Sequence, residues 1–177
     1  MGSGLAQATI VRSLSPIIAK HCRVLVLGTL SGPESLARGE YYADSTNKFW
    51  PIIYSLFGNK KPHTSYEERL EFLLSTGIGI WDVVAEGIRP GSSDRKITVL
   101  RPNDFEALFE EYGGIAYIGF NGQAAARLFA KHVGLTLPRD RYILLPSTSG
   151  ALAMPVEVKI ELWRTVLECL LTHRNLL

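Results

Sequence analysis

The chain has 177 residues, 46% of them hydrophobic and 20% charged, with a formal net charge of +2. That length fits one domain with a real core, and the near-neutral balance excludes a polybasic tail, although a local basic face stays open. Two cysteines far apart in sequence, Cys22 and Cys169, exclude a CxxC pair, a zinc set and an iron–sulfur set.

Residues 1–14 read as an N-terminal lead-in and 15–177 as a single domain, with Pro16-Ile-Ile18 packing on a sheet edge. The start lacks the basic and apolar regions of a signal peptide. Every apolar run is strand-length or broken by charge, so no membrane span is expected. A cytoplasmic setting and a monomer are the expectation.

The run Arg23-Val-Leu-Val-Leu27 is a first strand, buried on both faces. It delivers the chain to a long loop, Gly28 to Trp50, where glycines allow close backbone approach and aromatics offer flat faces. Pro51 belongs in a first helical turn, so a helix begins near Phe49 and leaves Asn47 in the loop or at the N-cap. Ser65-Tyr-Glu-Glu68 is a capping box for a helix to about Ser75. Gly77 to Trp81 is a second strand ending at Asp82, and Val83 to Asp94 reads as a long loop. Asn103 and Asp104 cap a helix to Tyr112, and Ile115 to Ile118 is the third strand. Asn121 caps the next helix, Arg141 to Leu145 is the fourth strand, and one helix from Pro155 carries Val156, Ile160, Trp163, Leu167 and Leu170.

Alternation of strands and helices predicts an α/β fold: a three-layer sandwich on a four-stranded, mostly parallel sheet. Four loops, 28–50, 82–95, 119–122 and 146–154, then gather at the carboxyl edge of the sheet, where ligands bind in such folds. They carry most of the Ser, Asn, Asp and Gly. No GxGxxG or Walker loop is present, the four histidines are scattered, and no Gly-x-Ser-x-Gly elbow occurs. No metal or cofactor is expected. From residue type alone, Asp82 fits both a turn cap and a pocket floor, Asn47 both a helix cap and a site residue, and Tyr41 and Tyr42 both core and ligand platform.

These loops resemble those of the uracil-DNA glycosylase superfamily, and most of all its hypoxanthine-DNA glycosylase branch. The matching motifs are Gly28-Thr29, Ser35-Leu36, Tyr41-Tyr42 and Asn47-Lys-Phe-Trp50; Gly77 to Val83; Arg89 to Ile97; Phe120 to Ala125; and Leu145 to Ser149. The resemblance implies the strand order 2-1-3-4 and a glycosylase that hydrolyses the N-glycosidic bond of a flipped, deaminated base. Hypoxanthine is the implied base, with uracil or mismatched thymine as the alternative. A catalytically inactive DNA-binding protein and a small-molecule α/β protein are the readings from other classes. The partner implied is double-stranded DNA with a damaged base, with single-stranded DNA as a second form.

By the same resemblance Asn47 holds the attacking water, and Ser147 and Ser149 stabilise the leaving base. Gly28, Thr29, Leu30, Tyr42, Asp82 and Asn121 line the base pocket, with Tyr42 stacking on the base and Asp82 reading its edge. Ser31, Lys48, Arg89 and Ser92 face the DNA, with Arg95 and Arg101 adding to a basic rim, and Leu152 is the wedge that fills the vacated stack. Leu30 stands where uracil enzymes carry their water-positioning Asn or Asp. Ser31 and Gly150 stand where the family carries proline, which implies two loosened loops.

Overall fold

The computed structural model describes residues 9–58, 61–90 and 94–172. Its centre is a parallel four-stranded sheet made of β2 (Val24–Gly28), β3 (Ile78–Asp82), β6 (Tyr117–Asn121) and β7 (Tyr142–Leu145), in the order β3-β2-β6-β7. All three pairings are parallel, and the order is the expected 2-1-3-4. β2 and β3 are buried almost throughout, as the continuous apolar runs require. Ile17 bridges Ile80 and so covers the sheet edge.

Helices cover the sheet: α2 (Phe49–Leu56), α3 (Tyr66–Ser75), α4 (Phe105–Glu111), α5 (Gln123–His132), α6 (Val156–Trp163) and α7 (Thr165–Thr172). The expected capping chemistry is present on two of them. Ser65 accepts from the Glu68 amide, and Asp104 accepts from the Ala107 amide. Pro51 lies in the first turn of α2, where its missing N–H costs nothing.

The structure departs from the sequence reading in five places. First, the long loop carries a helix, α1 (Pro33–Arg38), entered through Pro33 and closed by Gly39 at φ +67°. Second, the expected loop after Asp82 contains β4 (Val84–Ile88), the centre of an antiparallel sheet of order β1-β4-β5. Its neighbours are β1 (Ile10–Arg12) and β5 (Thr98–Pro102). Gly87 makes this packing possible, because a Cβ there would lie 2.9 Å from the Thr98 carbonyl. Third, residues 10–14 are therefore part of the folded body and not a lead-in. Fourth, Asn121 does not cap α5. The cap is Gly122 at φ +99°, and the Asn121 side chain turns elsewhere. Fifth, the last helix is broken at Arg164, whose amide bonds back to Glu161, three residues earlier. Such tightened turns end or offset α-helical runs. Among the described residues no helix is long and apolar enough to cross a membrane.

Candidate active site

A cavity of about 310 Å³ opens at the carboxyl ends of β2, β3 and β6. Its lining joins residues 28–33 with Tyr41, Tyr42, Asn47, Asp82, Arg89, Asn121 and Ser147 to Ser149. Loops far apart in sequence therefore converge on one volume, as parallel topology dictates.

Asp82 is its floor. The residue is 4% exposed, and its Oδ2 accepts from Ser31 Oγ at 2.6 Å and Ser13 Oγ at 2.9 Å. Each hydroxyl is itself oriented: Ser31 Oγ accepts from the Leu14 amide, and Ser13 Oγ from the Ser31 amide. Oδ1 is left facing Gly28, the paired residue on β2. A Cβ at Gly28 would lie 2.5 Å from Oδ1, so only glycine admits this carboxylate. Burial raises the Asp82 carboxyl above the ordinary range, against the lowering pull of Ser31, Ser13 and Arg89.

Two residues expected to face DNA point inward instead. Ser31 is buried on Asp82, as above, because the β2–α1 loop turns its hydroxyl toward β3. Arg89 donates to the carbonyls of Ser31 and Leu30, to Thr29 Oγ1 and to Asp94. Its guanidinium thus fixes the β2–α1 loop from inside the protein. The loosening expected from Ser31 in place of proline is not seen: its amide, carbonyl and hydroxyl are all engaged.

Arg101 pairs with Glu86 on the antiparallel sheet, sharing that carboxylate with Arg12. Lys48 is half-buried and anchors a neighbouring loop through its amide. Ser92 lies outside the described residues. Leu152 is 38% exposed on the loop before α6.

Tyr42 is the one described non-glycine residue with positive φ, at +57°. That conformation is costly for an aromatic residue and collects at functional sites. It lays the ring on Phe49, with centroids 3.9 Å apart and planes at 19°. Among the described residues its buried hydroxyl finds no hydrogen-bond partner of good geometry. Burial pushes that hydroxyl above the ordinary tyrosine range, with Asn121 pulling the other way.

Asn47 Oδ1 accepts from the Phe49 amide at 2.9 Å, so it does brace the start of α2. That bond uses one lone pair of the oxygen and leaves the second, with both Nδ2 hydrogens, for a ligand. Leu30 reaches the cavity, but its side chain belongs to the core.

Asn121 holds the opposite wall by gripping Thr148 twice, Nδ2 to Oγ1 and Oδ1 from the amide, both at 2.9 Å. Ser147 Oγ accepts from the Ser149 amide, and Ser149 Oγ from the Ala151 amide. Their hydroxyl protons remain free to turn to a ligand. Gly150 does not loosen this wall. Its Cα packs so closely on Thr46 that a Cβ would lie 2.6 Å from Thr46 Oγ1, itself bonded to Asp44.

Residues 16–168 match the family described as the uracil DNA glycosylase superfamily. The chain belongs to that superfamily. A hypoxanthine DNA glycosylase of Methanosarcina acetivorans is 33% identical over 142 residues, spanning 80% of this chain and 88% of the relative. One from Methanosarcina barkeri is 34% identical over 108 residues, 61% of this chain and 68% of the relative. The solution structure of a Methanosarcina acetivorans protein assigned as a candidate uracil DNA glycosylase superposes with TM-score 0.75 at 30% identity. It covers 92% of this chain and 99% of its own. The glycosylase class and the sheet order expected from the motif loops are thus borne out.

Sequence reasoning missed Ser13, since nothing local marks a serine after a short edge strand as a partner of Asp82. The pairing of β1 with β4 places it there.

The raised Asp82 value has a sign for stability. A folded-state value above the unfolded one means the native protein holds the extra proton, so stability falls as pH rises between the two values. Asp82→Asn removes that titration. Urea unfolding from about pH 4 to pH 8 should show the variant gaining on wild type as pH rises; a difference independent of pH would contradict the assignment.

Proposed function

We propose that this glycosylase removes hypoxanthine from deoxyinosine in DNA. The observation that carries the reading is Asp82, a buried carboxylate on the cavity lining with one oxygen occupied by two serine hydroxyls and the other beside Gly28. Hypoxanthine offers an N1–H donor beside its O6 acceptor, whereas adenine has no N1 donor. A carboxylate oxygen can only accept, so Oδ1 fits the deaminated base and rejects adenine. The related Methanosarcina proteins named for hypoxanthine support the same choice.

The target base leaves the stack and enters the cavity, at a cost of a few kcal/mol that mispairing lowers. It stacks on the free face of Tyr42, whose other face rests on Phe49. The C1′–N9 bond breaks with its electron pair leaving on the base, and the sugar becomes oxocarbenium-like. A water held by the second lone pair or the Nδ2 of Asn47 forms the new C1′–O bond. Its proton passes through solvent to the departed base. An amide orients water but is a weak base, so the burden falls on stabilising the leaving purine. Ser147, Ser149 and the loop amides supply donors for that. Lys48 and the exposed loop around Leu152 meet the duplex.

The test is a set of duplexes carrying inosine, uracil, xanthine or a T:G mismatch, followed by alkaline cleavage of abasic sites. Cleavage of the inosine strand is expected. Release of uracil or thymine with inosine untouched would replace hypoxanthine by a pyrimidine substrate, and no release from any duplex would end the reading.

Asn47→Ala should lower single-turnover excision by roughly 10²-fold or more, the scale of losing one positioned catalytic group. A near-wild-type rate would remove its role, and a large fall in melting temperature alone would leave it as a helix brace.

Asp82→Asn has a directed outcome. The two serine hydroxyls select the amide oxygen, so Nδ2 takes the place of Oδ1 and an acceptor becomes a donor. Hypoxanthine excision should fall, because Nδ2 then opposes its N1–H, and the preference for hypoxanthine over adenine, whose N1 accepts, should narrow. A hypoxanthine-to-adenine ratio unchanged from wild type would take Asp82 out of base recognition.

Leu152 is exposed, so truncation should spare the fold. Leu152→Ala should unfold within about 1 kcal/mol of wild type, well below the cost of emptying a core site. It should slow excision from duplex more than from single-stranded DNA, where no stack must be held open. Equal losses on both forms would deny it the wedge role.

A further inference from the structure

Lys159 is 1% exposed on α6. A lysine is almost never buried so completely unless an acid pairs with it. Among the described residues Lys159 forms no ion pair, and the charged group it feels is another cation, Lys48. Its Nζ donates to the carbonyl of Ser149 at 3.0 Å. Burial first, and Lys48 second, pull the ammonium below the ordinary lysine range. Such a charge is disfavoured where it sits, and nothing in core packing calls for it.

The Ser149 carbonyl is one of three on this loop that are held by donors from other elements. The Pro146 carbonyl accepts from Trp163 Nε1 of α6 at 2.9 Å, and the Thr148 carbonyl from the Lys48 amide at 2.8 Å. The Ser149 carbonyl also accepts from the Leu152 amide. In a trans peptide the N–H points opposite to its C=O. The amides of Ser147 and Gly150 are therefore turned away from α6; Ser147 and Ser149 line the cavity, whereas Gly150 packs on Thr46. The two amides between them are already used, Thr148 by Asn121 and Ser149 by Ser147.

We propose that Lys159 is a positioning residue for catalysis, whose positive charge on the Ser149 carbonyl fixes the loop that presents Ser147 and Ser149 to the cavity and stabilises the departing purine anion from behind it. A cation held in a low-dielectric wall attracts an anion that forms across it far more strongly than it would in water. It also fixes the loop's hydroxyl donors before reaction, which is where such stabilisation is most effective. The site needs this, because Asn47 offers no proton and the base leaves with a full electron pair. Lys159 does not line the cavity and is aimed at a carbonyl, so it is not a nucleophile toward the sugar. The proposal rests on the glycosylase reading above.

Lys159→Met keeps the volume and removes the charge. Three quantities decide: single-turnover excision at saturating enzyme, affinity for a duplex holding uncleavable 2′-fluoroarabino-deoxyinosine, and melting temperature. Excision should fall about 10- to 100-fold with affinity within about threefold and melting temperature held or raised, since a buried unpaired charge is gone. A structural strut would instead lose affinity and rate together, and that result overturns the proposal, as does a rate within about threefold of wild type. If the methionine variant does not fold, Lys159→Arg decides, because it keeps the charge: a retained rate supports the role, and a lost rate with intact affinity overturns it. Wild-type protein is run on all four lesion duplexes in parallel. Activity there with an unaffected variant overturns the Lys159 role alone, whereas wild-type inactivity on every lesion overturns both readings.

Discussion

A carboxylate removed from water at the end of a buried strand sets the terms for the rest of the site. Asp82 is tolerated because two hydroxyls converge on one of its oxygens and Gly28 leaves space beside the other. Burying a charge is costly unless hydrogen bonds take up its lone pairs. That requirement reaches outward. It recruits Ser13 from the edge of a second sheet and Ser31 from the β2–α1 loop. It then relies on Arg89 to hold that loop, since the guanidinium binds the carbonyls on either side of the Ser31 amide. The antiparallel sheet β1-β4-β5 therefore helps to build the cavity floor, because it delivers both Ser13 and Arg89.

The opposite wall is built by different means. There, helix side chains pull loop carbonyls backward: Trp163 and Lys159 from α6, and the amide that precedes α2. Asn121 secures the middle of the loop through Thr148. In the proposed reaction one wall presents an acceptor to the base edge and the other presents donors to the departing ring. Tyr42 closes the space between them in a strained conformation supported by its stack on Phe49.

The parallel sheet was legible in the sequence because its strands are continuous apolar runs that nothing else explains. Capping residues marked the starts of α3 and α4 for an equally local reason. The antiparallel sheet was not legible. β4 is interrupted by Glu86 and Gly87, β5 ends on Pro102, and β1 has three residues, so each is a strand only because the others are. The motif loops pointed to one shared volume, and Asn47, Tyr42, Asp82, Ser147 and Ser149 do meet in one cavity. What residue type could not reveal was direction. Arg89 reads as a surface cation until its inward acceptors are seen, and Asn121 reads as a cap until its grip on Thr148 is seen. Lys159 gave no signal, since a lysine at that helical spacing is indistinguishable from a solvated one.

The contact between Gly150 and Thr46 bears on the order in which sequences can change. A side chain at 150 would strike Thr46, which is held by Asp44, so a proline there is barred by a residue over a hundred positions away. A lineage could reach it only by first exchanging Thr46 for something smaller. The two positions are thus expected to be substituted as a pair, in that sequence, and a proline grafted alone into this background would displace the loop from Thr46.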